Sequence, residues 1–178
     1  MKMYLVHTLL SLATFLSLAA CKKDDPESSL PTATQVGANT GGCLINGEPF
    51  VATGKSGTIL SSSTPALRGG FDQQDNFSVV LSGRTSRGYT DIILTVKCIT
   101  PGTYPLMEQS QAYSTGNAYC SFSTDAYFTT KKEAGRITIT KLNKASNSAA
   151  GTFDFTARSY QDSTRTITVT AGRFDWQQ

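Results

Sequence analysis

The chain has 178 residues, with 16 Lys and Arg against 13 Asp and Glu, four Cys, 15 Gly, one Trp and a single His. That one His is His7, inside an apolar N-terminal stretch that reads as a secretion signal, so the mature chain is expected to hold no imidazole. Its loss excludes Ser-His-Asp and Cys-His catalysis, His-ligated zinc and a His-based pH switch. The near balance of charge, with no basic cluster beyond Lys131-Lys132 and no Gly-rich phosphate loop, excludes a nucleic-acid partner and offers no cofactor motif.

After Lys2, the segment from Leu5 to Leu18 is mostly apolar but interrupted by hydroxyl residues. It is too short to cross a hydrocarbon core as a helix, which takes about 20 residues, and reads as a signal peptide over residues 1–20. The next residues, Leu18-Ala19-Ala20-Cys21, resemble the bacterial lipobox: an apolar residue, two small ones that fit a narrow peptidase site, and the Cys that is lipidated on sulfur. Cleavage is expected between Ala20 and Cys21, with the protein held to the membrane by lipid on Cys21. The following Lys22-Lys23-Asp24-Asp25 resembles the signal that exports Bacteroidetes lipoproteins to the outer face of the outer membrane, and it reads equally well as a solvated charged run. Residues 21–38, polar and carrying Pro26 and Pro31, are expected to form a flexible tether, and residues 39–178 a single domain.

Beyond Cys21 the chain carries 23 Thr and 17 Ser, which with Val, Ile, Phe and Tyr favour pleated sheet, and it shows no amphipathic helix. Cys43-Leu44-Ile45 and Glu48-Pro49-Phe50-Val51 flank Asn46-Gly47, a type I′ hairpin signal. Further strands are expected at 57–60, 66–71, 77–82, 89–99, 102–106, 118–123, 136–142, 151–157 and 164–171, with a tail at 173–176. Period-two alternation puts Ile92, Leu94, Val96 and Cys98 on one buried face, Phe153, Phe155 and Ala157 on another, and Phe174 and Trp176 opposite Arg173 and Asp175. The fold class this predicts is all-β, an antiparallel β-sandwich of roughly eight to ten strands, with a closed β-barrel as the alternative.

Three C-terminal runs carry a family likeness: Ile137-Thr138-Ile139-Thr140-Lys141-Leu142, Gly151-Thr152-Phe153-Asp154-Phe155, and Ile167-Thr168-Val169-Thr170-Ala171-Gly172-Arg173-Phe174-Asp175. They resemble a group of uncharacterised Bacteroidetes lipoproteins with ITITKL, GTFxF and ITxGRFD strands, and residues 37–47 are similar to that group's N-terminal part. The resemblance implies a β-rich envelope lipoprotein and transfers no activity or catalytic residue. Ala171 stands where that group commonly has an acidic residue, so any ligand role of that residue would be missing here.

The domain holds Cys43, Cys98 and Cys120, which allow three pairings. Cys98 and Cys120 share apolar-facing parity and are the favoured disulfide, with no disulfide as the alternative. Without His and without C-x-x-C spacing, no metal is expected. Paired carboxylates are the one catalytic class left open, at Asp72 with Asp75 or Asp154 with Asp175, but the first pair reads as a turn and the second as outward strand positions. No catalytic residue is therefore assigned. Four Tyr (Tyr104, Tyr113, Tyr119 and Tyr127) cluster with Phe122 and Phe128 among Asn, Gln, Ser and Thr, as in a glycan- or protein-contact patch or in ordinary cross-strand packing. The function expected is a non-enzymatic binder or scaffold at the cell envelope, with a glycan or an envelope protein as partner. The alternatives are a small carboxylate-based hydrolase and a structural subunit of a surface assembly.

Overall fold

A computed structural model describes residues 25–57, 62–98, 100–107 and 116–178. Ala20, Cys21, Tyr113 and most of the expected strand at 57–60 lie outside the described residues. The described residues form eleven strands: β1 (Thr40–Ile45), β2 (Glu48–Val51), β3 (Leu67–Phe71), β4 (Asn76–Thr85), β5 (Gly88–Lys97), β6 (Gly102–Leu106), β7 (Asn117–Phe122), β8 (Ala126–Phe128), β9 (Gly135–Asn143), β10 (Ser148–Ser159) and β11 (Thr166–Gln177). The all-β, antiparallel expectation holds. Asn46 and Gly47 both take positive φ (51° and 83°) in the β1–β2 turn, as a type I′ turn requires.

The strands join in the order β2-β1-β11-β10-β8-β7-β5-β4-β3. Twelve-residue β10 pairs with β11 along one edge and divides its other edge between β9 and β8, while β6 extends the β9 side. This sheet curls into a half-barrel whose walls face each other as sandwich layers do. At the seam, Ala52 bridges to Gly83, and the N–H groups of Thr53 and Gly54 donate to the Ser82 carbonyl at 3.0 and 2.8 Å. Across the interior, the Phe77 ring of β4 lies 5.9 Å from Phe174 and 6.0 Å from Trp176 of β11. Two glycines permit this approach. A Cβ on Gly83 would sit 2.7 Å from the Val51 carbonyl, and one on Gly69 would sit 2.8 Å from the Trp176 ring.

Inside the curl lie Phe50, Phe77, Leu81, Ile92, Leu94, Val96, Ile137, Ile139, Phe153, Phe155, Ile167 and Val169, all buried. Each such side chain contributes about 1.5–3 kcal/mol on burial. The expected parity therefore holds for β5 and β10. In β11, alternation from Ile167 and Val169 would by itself place Asp175 inside. Ala171 prevents this as the extra residue of a β-bulge: pairing jumps from Phe153↔Gly172 to Phe155↔Val169 and from Gly42↔Arg173 to Leu44↔Thr170. Ala171 adopts φ +52°, and the reset parity keeps Phe174 and Trp176 in the core. The strand expected to end at 171 thus runs on through the tail.

Two expectations are corrected. Residues 25–38 are not a free tether but a strap packed on β1, β2 and β11: a 3₁₀ turn over Pro26–Ser29 is capped by Asp25, Leu30 is 8% exposed, and Asp175 binds the rest. Cys98 and Cys120 do not form the expected disulfide; both are free and buried, as is Cys43. They do share a face, but Cys120 stands opposite Ile92, so Cys98 is six residues, about 20 Å, further along β5.

Candidate functional site

On the outer face, strand register builds one line of side chains across five strands. Val80 of β4 lies opposite Ile93 of β5, Ile93 opposite Tyr119 of β7, Tyr119 opposite Phe128 of β8, and Phe128 opposite Arg158 of β10. Their chain neighbours Val79, Leu81, Ile92, Leu94, Ala118, Cys120, Tyr127 and Ala157 point inward and are buried, which turns the row outward. Four strand spacings make it about 19 Å long. Each row side chain is half-buried. Tyr160, 80% exposed, sets its ring 6.1 Å from Phe128, and the Arg158 guanidinium lies 5.7 Å from the Phe128 ring centre.

Polar rows border this line. On one side Ser78 and Thr95 share a hydroxyl hydrogen bond of 3.0 Å, with Asn117 opposite Thr95. On the other, Ser82 donates to Asp91 at 2.6 Å, Lys55 reaches the same carboxylate at 2.8 Å, and Ser121 stands across from it. Burial pushes the Asp91 carboxyl up, but the hydrogen bonds from Lys55 and Ser82 more than reverse this and hold it below its ordinary value. At the Val80 end, Gly69 and Gly70 of edge strand β3 leave a shallow depression of about 350 Å³, rimmed by Arg68, Asp72, Asn76 and Ser78.

Three hairpin turns, β1–β2, β4–β5 and β7–β8, form a second concavity at one end of the half-barrel. A cleft of about 250 Å³ has Ile45, Pro49 and Phe122 as its apolar walls, with Asn46, Glu48, Thr85 and Ser86 as polar ones. Arg87 lies over the Phe122 ring at 4.9 Å. Beneath it, Tyr127 meets Phe122 edge-on at 5.8 Å and accepts from Arg165 at 2.9 Å. Asp125 receives Ala126 N–H at 2.8 Å and the Ser159 hydroxyl at 3.0 Å, and Arg165 faces its other oxygen at 3.3 Å. Burial raises the Asp125 carboxyl; Tyr127, Ala126, Ser159 and Arg165 together bring it below its usual range. This network pins the β7–β8 turn to the β10–β11 turn.

The four-Tyr patch is taken apart by the fold. Tyr127 is a core residue, corrected from a surface role because the two-residue period of β8 points it inward. Tyr104 is on β6, packed partly against the core with its hydroxyl donating to the Thr100 carbonyl at 2.6 Å. Tyr119 alone of the described three joins the outer row, where Phe128 stands opposite it and Tyr160 lies against Phe128. The carboxylates of the two candidate pairs are engaged by other groups. Asp72 closes the β3–β4 turn by accepting from Gln74 and Asn76, and Asp75 pairs with Lys144. Asp154 pairs with Arg136 at 2.9 Å, whereas Asp175 is turned outward but covered by the strap. Among the described residues, no three Cys, Asp or Glu side chains gather as a metal site would need.

Residues 66–175 match the model of a family described as a domain of unknown function, DUF6252. No curated protein and no solved structure matches the chain.

Proposed function

The chain belongs to that family of unknown function, and from its own residues we propose that it is a lipid-anchored, non-catalytic binding protein of the bacterial cell envelope that takes saccharide along its outer aromatic row. The row carries this reading. Tyr119, Phe128 and Tyr160 offer flat faces for the C–H side of sugar rings, and the hydroxyl and amide rows beside them suit ring hydroxyls. The carboxylates that a hydrolase would need serve structure instead: Asp72 holds a turn, while Asp75, Asp91, Asp125 and Asp154 face basic side chains. The lipobox-like Leu18–Cys21 and the Lys22–Asp25 run support anchoring at the outer face of the outer membrane.

The test is a screen of the full chain against neutral and acidic oligosaccharides, repeated with Tyr119→Ala and Tyr160→Ala. Stacking contributes about 0.5–1.5 kcal/mol per ring beyond area, so each change should weaken binding by about two- to tenfold. Unchanged affinity in both variants refutes the row as the site. Palmitate labelling tests the anchor, and label that persists on Cys21→Ala refutes it.

A further inference from the structure

The strap has a consequence for how the domain stands on a membrane. Asp175 draws in four donors from one short stretch: the Thr34 hydroxyl at 2.6 Å and the N–H groups of Val36, Gly37 and Ala38 at 2.9, 2.9 and 3.1 Å. Lys141 holds the Gln35 carbonyl at 2.6 Å, and Arg173 reaches Glu27 at 3.3 Å. Gly42 of β1, with no side chain, lets Pro31 and Leu30 lie against it. The chain is therefore fixed to the barrel wall from Asp25 onward. Only four residue steps separate Asp25 from Cys21, and fully extended they reach about 14 Å; seventeen free steps to Ala38 would reach about 60 Å.

We infer that the strap seats the half-barrel directly on the lipid surface in one orientation, its β1–β2–β11 wall toward the bilayer and its β3–β4 wall, with the Val80 end of the row, away from it. This rests on the lipid-anchor reading of Cys21. The orientation follows from the curl. Phe77 of β4 and Phe174 of β11 meet at 5.9 Å inside, and Gly69 of β3 abuts Trp176, so the outer sides of β3–β4 and of β11 look in opposite directions. The strap lies on the β11 side and Val80 on the other. A partner bound at the Val80 end of the row would thus be presented outward.

The experiment uses the full lipidated chain on vesicles of phosphatidylethanolamine and phosphatidylglycerol with a headgroup-quencher lipid. One dye is placed through Thr170→Cys, exposed on β11, or through Gly70→Cys, whose outer side is open space. The dye at 170 should be quenched at least twofold more than the dye at 70. Inserting 20 Gly/Ser residues between positions 24 and 25 leaves the domain untouched and should abolish the difference, as should Asp175→Asn by freeing the strap. Equal quenching at both positions in a vesicle-bound chain with the native strap overturns this inference alone. A chain that carries no lipid on Cys21 and leaves the vesicles overturns the anchor reading and this inference with it.

Discussion

Asp175→Asn is the perturbation that most directly probes how the strap is held. The carboxylate is 2% exposed and accepts four hydrogen bonds between 2.6 and 3.1 Å. Bonds to a charged acceptor contribute about 1.5–3 kcal/mol each, which would sum to several kcal/mol if the strap stayed in place. It need not stay, because undocking returns every donor to water. The loss is therefore capped by the docking free energy, which also includes burial of Leu30, about 2 kcal/mol, and an Arg173–Glu27 ion pair of about 0–1 kcal/mol. A loss of about 3 kcal/mol at pH 7 is expected, read by urea unfolding. Thr34→Val should lose about 1 kcal/mol alone and much less when combined with Asp175→Asn, since the freed strap no longer uses that hydroxyl. The acid limb carries the same signature. Burial pushes the Asp175 carboxyl up, but the Thr34 hydroxyl and the N–H groups of Ala38, Gly37 and Val36 bring it below its ordinary value. A carboxyl depressed by folding stabilises above its unfolded pKa, about 3.9, and loses that contribution as pH falls through the folded value. Stability of the wild type should therefore drop more steeply than that of the variant below about pH 4. Additive losses in the double variant, or identical acid limbs, would refute the assignment.

Three further outcomes follow from the fold. Ala171→Gly should raise stability by about 1 kcal/mol in urea unfolding, because φ +52° at the bulge strains a Cβ and suits glycine. Gly83→Ala should lower the thermal midpoint by more than about 5 °C, equivalent to about 2 kcal/mol, since its Cβ would meet the Val51 carbonyl at 2.7 Å and the Phe50 ring at 2.9 Å across the seam. Burial pushes the Cys98 thiol up to about 11, the Cys120 thiol up to about 12 and Cys43 higher still, so iodoacetamide at pH 8 should modify none of the three in the native protein and all three in urea, as read by mass spectrometry.

Local chemistry was legible where one residue type answers to one backbone state or one face. Asn46-Gly47 signals its turn through positive φ, and Ile92, Leu94 and Val96 signal their face through a period of two. Register is a different matter, because it belongs to pairs of strands. Parity puts Cys98 and Cys120 on the correct face but says nothing about the six-residue offset along β5 that keeps them from pairing. The Tyr cluster comes apart similarly. Tyr119 and Tyr127 are eight residues apart and lie on opposite faces because the turn after Phe122 resets the alternation before β8. Val80, Ile93 and Arg158 gave no sequence signal of the outer row, because each looks like an ordinary strand residue until pairing lines them up.

Asp175 shows why residues with a linker's composition belong to the folded domain. Residues 25–38 have the composition of a linker, and the hydrophobic effect alone would leave all but Leu30 in solvent. What fixes residues 34–38 above all is a single carboxylate 137 to 141 residues away, placed on the outer side by one extra residue at Ala171. Had β11 kept strict alternation, that carboxylate would face the core and Phe174 and Trp176 would face water. The bulge therefore does two things at once: it completes the aromatic core that lets β4 close over β11, and it presents the acceptor that binds the strap. The strap and the Val80 end of the row lie on opposite walls of one curl. A change that removes the bulge should disturb both together, whereas Asp175→Asn should release the strap and leave the row's own register intact.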